Sequence, residues 1–279
     1  MMIAELNGTK LYYETMGQGT PLMVMHGGLG LDHTGLKDWL APLADQVELI
    51  FYDHRGNGRS DRPDSLEGVT HETFIDDADA LRAHLGHEKI ILFGHSYGGF
   101  LAQDYALKYG DHLAGLVLCC TAPVLDYMEI IQGNAAARGN EAQLGALGAA
   151  FGRPMADDAD WRQIWMTLLP MYFHQFDEAV AQKMDEATHY SAAAWNHVNA
   201  NCLPFFNVLD RLGEISTPTL VASGADDWIT PPGPGGERIH AALPNSELKV
   251  FADSGHWPFI EEAERFEAMM RDWLSRLDS

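Results

Sequence analysis

A serine stands between two glycines in the segment GHSYG, which follows a short apolar run and precedes a helical pattern. Ser96 lies two residues from Gly94 on one side and from Gly98 on the other. To expose its hydroxyl group at so sharp a strand-to-helix turn, a serine must adopt a strained backbone conformation, and only small residues fit two places before and after it. The pattern therefore predicts that Ser96 is a nucleophile.

A serine hydroxyl is a weak nucleophile unless an oriented base removes its proton. Later segments supply an acid and then a histidine, each directly after an apolar run, in the chain order that this kind of turn requires. Asp226 and Asp227 follow TLVASG, and His256 follows LKVF and a short loop. The sequence predicts a triad of Ser96, an aspartate and His256, and the spacing alone leaves the choice between the two aspartates open.

The negative charge that develops on the substrate oxygen needs hydrogen-bond donors that are already in place. We expect one donor to be the main-chain N–H of Tyr97, which directly follows the nucleophile. The segment HGGLG follows the apolar run PLMVM and offers an open backbone, so we assign the second donor to Gly28. This glycine-rich loop lacks both common phosphate-binding patterns, which argues against a nucleotide.

The elements that must position these groups are short apolar runs alternating with amphipathic helical patterns. The runs are PLMVM, VELIFY, KIILFG, LAGLVLCC, TLVASG and LKVF. Continuous apolar strands that alternate with helices predict an α/β fold, with a mostly parallel central sheet and helices on both faces. An alternating segment around Asn7 and Gly8 predicts a β-hairpin at the start.

The alternation stops between residues 124 and 206, where helix-favouring segments rich in Ala, Met and aromatic residues replace the strands. We predict a helical cap over residues 124–206, inserted into a core formed by residues 1–123 and 207–279. Open α/β sheets bind ligands at the carboxyl ends of their strands, so the cap is expected to cover the site. Trp165, Trp195 and Trp228 are candidate substrate contacts, and simple packing is the alternative for each.

The chain has 279 residues and a formal net charge of −22. This excess of acid argues against binding to nucleic acid or to an anionic membrane surface. The start of the chain lacks a signal-peptide pattern, and no apolar run has the length of a membrane span. The adjacent Cys119 and Cys120 point to opposite faces of a strand, so we expect free thiols and a cytoplasmic protein. The expected partner is a small-molecule substrate, with no metal and no cofactor, and the oligomeric state stays open.

The segments HGGLG, FYDHRGNGRS, GHSYGG, GADDWITP and SGHWPFIEE occur in the order found in serine hydrolases of the α/β-hydrolase fold. The chain resembles this family over nearly its whole length. The resemblance implies the α/β-hydrolase fold with a helical cap, and it identifies Asp227 rather than Asp226 as the acid. The family's dehalogenases and epoxide hydrolases carry an aspartate at the nucleophile position, and Ser96 argues against both.

Within the family, the motifs are most similar to those of proline iminopeptidases, which carry HGGPG, a similar turn after the fourth strand and a helical cap. Two positions differ. Leu29 replaces the proline of HGGPG, and Trp228 stands where one branch has a glutamate that holds the free amine of the substrate. An aminopeptidase would then need a carboxylate of the cap, for which Glu141, Glu178 and Glu186 are candidates.

Together these observations predict a cofactor-free serine hydrolase that cleaves a small carboxylic ester, lactone or amide with an apolar portion through an acyl-enzyme intermediate. An aminopeptidase of the proline iminopeptidase type is the alternative, and a small-molecule receptor on the same fold is a second alternative. Cleavage of C–C bonds uses the same triad, so the sequence does not separate it from ester hydrolysis.

Overall fold

An eight-stranded sheet forms the centre of the structure, a computed structural model that describes residues 2–277. The strands are β1 (Met2–Leu6), β2 (Thr9–Met16), β3 (Thr20–Met25), β4 (Val47–Tyr52), β5 (Ile90–His95), β6 (Leu113–Cys119), β7 (Thr219–Gly224) and β8 (Ser246–Phe251). Their order in the sheet is β1-β2-β4-β3-β5-β6-β7-β8. The pairs β1–β2 and β2–β4 are antiparallel, and the other neighbouring strands are parallel. The predicted mostly parallel sheet is confirmed.

The predicted hairpin forms one edge of this sheet. Its turn residues Asn7 and Gly8 have φ angles of 48° and 71°. A two-residue turn with positive φ at both positions matches the right-handed twist of the strands that it joins. This antiparallel edge lies several strands away from β5, whose end carries the predicted nucleophile.

The helices of the described chain are α1 (Thr34–Leu40), α2 (His71–His84), α3 (Tyr97–Tyr109), α4 (Met128–Arg138), α5 (Glu141–Gly152), α6 (Asp158–Leu168), α7 (Glu178–Ala187), α8 (Ala192–Asn201), α9 (Arg238–Ala242), α10 (Pro258–Glu261) and α11 (Ala263–Leu277). Among residues 2–277, none of these helices combines the length and the apolar character that crossing a bilayer requires.

Helices cover both faces of the sheet, as contacts of neighbouring residues in β5 show. A Cβ added to Gly94 would collide with Ala102 of α3. The ring of the adjacent Phe93 packs against Phe266 of α11, with ring centroids 6.4 Å apart. Because successive residues of a strand point to opposite faces, α3 and α11 lie on opposite sides of the sheet. Every residue of β5 is buried, so the packing around the strand fixes the position of the loop that follows it.

The turn after β4 is built around the buried carboxylate of Asp53. Its Oδ1 lies 2.6 Å from Nδ1 of His33, and its Oδ2 accepts a hydrogen bond of 2.8 Å from the N–H of Arg59. Burial disfavours the charged form, but the hydrogen bond and positive charge of His33 prevail and lower the pKa of Asp53 to about 2. The segment FYDHRGNGRS thus has a structural role in holding this turn.

Helices α4 to α8 lie between β6 and β7, in the region predicted to form the cap. An isolated antiparallel bridge pairs Val124 with Asn207, at the two ends of the predicted segment 124–206. Beside it, the N–H of Val208 donates to the carbonyl of Pro123 at 3.0 Å. The chain therefore leaves the core and returns to it at adjacent points.

Polar residues define where four of these helices begin. The side chains of Asn140, Asp157, Asp177 and Ser191 accept hydrogen bonds from first-turn N–H groups of α5, α6, α7 and α8 respectively. Such caps satisfy N–H groups that have no partner inside the helix. The boundaries of these helices are thus set locally by the sequence.

Candidate active site

Ser96 occupies the turn between β5 and α3 with φ of 54° and ψ of −119°. This conformation is strained for a residue other than glycine, at a cost of roughly 1–3 kcal/mol. Neighbouring groups hold it in place, because its N–H donates to the carbonyl of Cys119 at 3.0 Å and its own carbonyl accepts from the hydroxyl of Thr121 at 2.8 Å. The end of β6 thereby fixes the turn that presents the half-buried serine.

The glycines around Ser96 have no room for a side chain. A Cβ on Gly98 would collide with the carbonyl groups of Met25 and His26. A Cβ on Gly94 would overlap the carbonyl of Gly98. The start of α3 therefore packs directly on the end of β3, which is the physical reason for the small residues in this motif.

Asp227 lies in the loop after β7, and its carboxylate is buried. Oδ1 accepts hydrogen bonds of 3.1 Å from the N–H groups of Ile229 and Thr230. Oδ2 accepts the hydroxyl of Thr230 at 2.6 Å and lies 2.7 Å from Nδ1 of His256. These contacts fix the orientation of the carboxylate in front of the imidazole.

The ionisation of Asp227 follows from the same contacts. Burial disfavours the carboxylate, but the charge of His256, its hydrogen bond and the bonds from Thr230 together lower the pKa of Asp227 below its usual value. Asp227 is therefore ionised at neutral pH. A carboxylate facing Nδ1 favours the tautomer with the proton on Nδ1 and leaves Nε2 free to accept a proton.

Asp226, the neighbour of Asp227, faces the cap instead. Its carboxylate and its main-chain carbonyl both accept hydrogen bonds from the guanidinium of Arg138 at the end of α4. Nδ1 of His174 lies 3.2 Å from the same carboxylate. The geometry thus separates the two aspartates, since one contacts His256 and the other ties the cap to this loop.

Main-chain contacts hold His256 from two sides. Its N–H donates to the carbonyl of Tyr172 in the cap at 2.7 Å, and Nε2 of His95 lies 2.9 Å from its carbonyl oxygen. Burial lowers the pKa of His95 well below its ordinary value, so this ring is neutral and donates its Nε2–H. The residue before Ser96 therefore helps to position the loop that carries His256.

The two predicted oxyanion donors lie on the wall of the same cavity as Ser96 and His256. Gly28 has a φ of 70°, and a Cβ there would collide with Leu31. Tyr97 is the first residue of α3, so its N–H has no partner within the helix. The structure brings the predicted nucleophile, base and donors together at one surface.

This cavity has a volume of about 460 Å³, within the usual range for small-molecule sites. Aliphatic and aromatic side chains from the core and the cap form most of its wall, and they include Leu31, Phe100, Trp161, Trp165, Trp195 and Trp257. Across the described residues, no Asp, Glu, Lys or Arg side chain lines it. A more open depression of about 540 Å³ lies between residues 63–70 and α8, away from Ser96.

Two of the three tryptophans expected to contact substrate, Trp165 and Trp195, line the cavity. Trp228 does not, and this expectation is corrected. Its ring is buried against Tyr172, with centroids 5.4 Å apart, and its carbonyl accepts a hydrogen bond of 3.2 Å from Asn134. The residue after Asp227 packs between core and cap because the loop turns towards α4 at this point.

Comparison with known proteins agrees with this geometry. A family model described as "alpha/beta hydrolase fold" matches residues 20–263. The chain belongs to the α/β-hydrolase family. A curated relative, proline iminopeptidase PfmaB of Pestalotiopsis fici, is 30% identical over 285 residues and is matched over 98% of each chain. This α/β hydrolase is therefore a member of the proline iminopeptidase-like branch.

Solved structures share the fold of this α/β hydrolase over nearly its whole length. An esterase from Exiguobacterium antarcticum has a TM-score of 0.81 at 23% identity, covering 97% of both chains. A thermophilic esterase from Thermogutta terrifontis has a TM-score of 0.72 at 29% identity, covering 97% of this chain and 95% of that one. The chain is a hydrolase of the α/β fold, and the proteins similar to it include one named proline iminopeptidase and, at 29% identity, one named esterase.

The cap carboxylates that an aminopeptidase would need lie away from the cavity wall of this α/β hydrolase. Glu141 and Glu178 are exposed in the first turns of α5 and α7. Glu186 accepts a hydrogen bond of 2.7 Å from Gln182. None of these three glutamates lines the cavity that contains Ser96.

The sequence did not predict the positions of two residues at the site, Thr230 and Trp161. Thr230 bonds the carboxylate of Asp227, and a polar residue three places after an aspartate is a weak local signal for such a turn. Trp161 lines the cavity, and its Nε1–H donates to the carbonyl of Gly30 at 3.2 Å. No sequence signal separates Trp161 from the other aromatic residues of the cap.

Cys120 lies close to the predicted acid and base. Ligand-type atoms of Cys120, Asp227 and His256 lie within 4.8 Å of one another. Burial raises the pKa of the Cys120 thiol well above its usual value, so the thiol is protonated. Nδ1 of His256 is already paired with Asp227. This arrangement suits a hydrogen-bonded acid–base pair better than a metal site, which would need a thiolate and a free ring nitrogen.

Proposed function

We propose that this hydrolase cleaves small, uncharged carboxylic esters or lactones through an acyl-enzyme intermediate on Ser96. The observation that carries the proposal is a cavity that combines Ser96 and His256 with a wall free of charged side chains across residues 2–277. A charged substrate group held there would lose its hydration without gaining a counter-charge. An apolar ester gains free energy from the same burial.

In the proposed acylation, the hydroxyl oxygen of Ser96 attacks the acyl carbon while Nε2 of His256 takes the hydroxyl proton. The carboxylate of Asp227 stabilises the imidazolium that forms. The N–H groups of Gly28 and Tyr97 donate to the oxyanion of the tetrahedral intermediate. His256 then gives its proton to the leaving alcohol oxygen as the bond to the acyl carbon breaks.

Deacylation uses the same groups with water as the nucleophile. His256 removes a proton from water, whose oxygen attacks the acyl carbon of the ester on Ser96. Collapse of the second tetrahedral intermediate releases the carboxylic acid and returns the proton to Ser96. These steps require only the chain, a small-molecule substrate and water.

A second candidate is an aminopeptidase of the proline iminopeptidase type. The similarity to proline iminopeptidase PfmaB favours it. A free amine in the cavity would need a negatively charged partner, and the wall offers none within the described chain. The ester proposal therefore takes precedence over the peptidase proposal.

The experiment that tests the proposal compares kcat/KM for 4-nitrophenyl acetate and butyrate with kcat/KM for prolyl 4-nitroanilide. We expect a clear preference for the esters, abolished in Ser96→Ala and unchanged in Ser65→Ala, an exposed serine that does not line the cavity. A preference for the prolyl anilide would establish the peptidase instead. A single burst of nitrophenol without steady-state turnover would indicate a small-molecule receptor.

A further inference from the structure

Helices α4 and α5 are consecutive in the chain, and only residues 139–140 separate them. Each helix lines the cavity with residues spaced i, i+3, i+4 and i+7. The residues are Met128, Ile131, Gln132 and Ala135 in α4, and Leu144, Leu147, Gly148 and Phe151 in α5. This spacing defines one face of each helix. The two faces together are called the α4–α5 groove.

The α4–α5 groove is apolar and partly open to solvent. Met128 is 46% exposed, Leu144 is 37% exposed and Phe151 is 48% exposed, although all three line the cavity. The amide of Gln132 is the one polar side chain among the eight groove residues, and none of the eight is charged. Apolar faces of neighbouring helices normally pack against each other or against a core. Here they border open space that is continuous with Ser96.

Gly148 enlarges this open space. It lies at the centre of the α5 face, and an added Cβ would meet no heavy atom within 4 Å. Glycine inside a helix is destabilising relative to alanine, so the position is not explained by helix stability. The missing side chain keeps the middle of the groove clear.

We propose that the α4–α5 groove binds an uncharged alkyl chain of the substrate, which makes medium-chain aliphatic esters the substrate class of this enzyme. The inference rests on the proposed ester hydrolysis at Ser96. From the first to the last residue of either face, the helix rises about 10 Å, so the groove offers an extended apolar track. The groove residues carry no charge to hold an ionised chain end.

The first test compares 4-nitrophenyl octanoate with 4-nitrophenyl acetate. Each methylene group buried in the groove should raise kcat/KM by up to about fourfold, so the wild type should prefer the octanoate. Gly148→Leu fills the groove and should lower kcat/KM for the octanoate by at least about tenfold, with the acetate changed less than about twofold. Equal losses on both esters, or no loss on the octanoate, would overturn the proposal.

The matched control is Gly145→Leu in the same helix. Gly145 also has no heavy atom within 4 Å of an added Cβ, but it does not line the cavity. Leucine is a better helix former than glycine, so both variants should fold, and their melting temperatures check this. We expect Gly145→Leu to keep the wild-type preference for the octanoate. The same loss in Gly145→Leu would contradict the assignment of the groove.

The alkyl chain can belong to the acid or to the alcohol of the ester, and two substrates separate these sources. Methyl octanoate carries the chain on the acyl side, and octyl acetate carries it on the alcohol side. If Gly148→Leu loses activity on only one of the two esters, the result supports alkyl binding in the groove. It also shows whether the groove holds the acyl chain or the alcohol chain. Full retention of activity on both would overturn the proposal.

A binding measurement tests the groove independently of ester hydrolysis. The rings of Phe151 and Trp195 lie 5.6 Å apart, so tryptophan fluorescence reports on this end of the groove. We expect Ser96→Ala to bind 2-octanone more tightly than 2-butanone, and the difference should disappear when Gly148→Leu is added. If the wild type hydrolyses no ester but this selectivity is found, the proposed function fails and the groove assignment stands. Equal affinity of Ser96→Ala for both ketones would contradict the binding of an alkyl chain in the groove.

The other possible occupant is a second copy of the chain. Sedimentation velocity of the wild type, Phe151→Ser and Phe176→Ser tests this, because Phe176 is 43% exposed but lies outside the cavity wall. We expect the same sedimentation coefficient for all three proteins. A wild-type dimer that only Phe151→Ser dissociates would show that the groove is a subunit interface and would overturn the proposal.

Discussion

The guanidinium of Arg138 binds both the main-chain carbonyl and the carboxylate of Asp226. Asp226 directly precedes Asp227, whose carboxylate faces His256. The last turn of α4 is therefore attached to the loop that carries the proposed acid. Asp226 is thus the point at which this loop contacts the end of α4.

Arg138→Gln and Asp226→Asn should each lower kcat/KM severalfold, and the double variant should lose no more than Arg138→Gln alone. The reason is that both remove the ion pair between the guanidinium and the carboxylate, and the effects of two residues in one ion pair are not additive. The pair is partly exposed, so its coupling should be no more than about 1 kcal/mol. A double-mutant cycle on a 4-nitrophenyl ester measures it. Strict additivity of the two losses would contradict the attachment.

Asp227→Asn should reduce kcat on the same ester by about 10⁴-fold, because an amide neither stabilises the imidazolium nor selects the correct tautomer of His256. Asp226→Asn is the matched control, since it makes the same chemical change one residue earlier. It should reduce kcat by less than about tenfold, in line with the weak coupling of a partly exposed pair. Comparable losses in the two variants would mean that the acid is wrongly assigned.

Stability at low pH should depend on Asp53. The pKa of its carboxyl falls from 3.8 to about 2 in the folded state. The unfolded chain therefore binds the proton first, so the stabilisation is fully present above about pH 4 and is lost as the pH falls towards 2. The contribution is about 2 kcal/mol.

Urea unfolding at a series of pH values, in the wild type and in Asp53→Asn, isolates this contribution. The difference in unfolding free energy between the two proteins should shrink as the pH is lowered from 5 to 2. A difference that stays constant over this range would show that Asp53 has the same pKa in both states.

Gly98→Ala should destabilise the protein by at least about 2 kcal/mol, because the added methyl group collides with the carbonyl groups of Met25 and His26. Gly133→Ala, inside α4, should instead stabilise it by roughly 0.5–1 kcal/mol, because an added Cβ there meets no heavy atom within 4 Å. Thermal melts of the two variants against the wild type provide the measurement. A neutral Gly98→Ala would show that the turn relaxes freely.

Ser96 and His256 line one cavity, and their placement follows from local patterns in the sequence. Ser96 and His256 each follow an apolar run and a small residue, and parallel strands bring such loops to one edge of the sheet. The spacing did not distinguish Asp226 from Asp227. The structure separates them through partners from different parts of the chain, His256 and Arg138.

The cap was predicted as a helical region, but its contacts were not predictable residue by residue. Trp228 was expected to face substrate, and its actual neighbours Tyr172 and Asn134 come from segments more than fifty residues away in the chain. Aromatic residues serve equally well as packing and as binding surface, so composition does not separate the two roles. The sequence shows that one face of α4 is apolar, but only the structure shows that this face borders open space.

The bridge between Val124 and Asn207 gives the cap a closed base, with the bond from Val208 to Pro123 beside it. The two ends of this long insertion meet at the core, and the entropic cost of closing a chain segment between two such points grows only slowly with its length. We therefore expect these two attachment points to accept an insertion of another length. The proposed catalytic residues Ser96, Asp227 and His256 all lie outside residues 124–206, whereas this segment supplies much of the cavity wall. We therefore expect an exchange of this segment to alter which substrates fit and to leave these three residues in place.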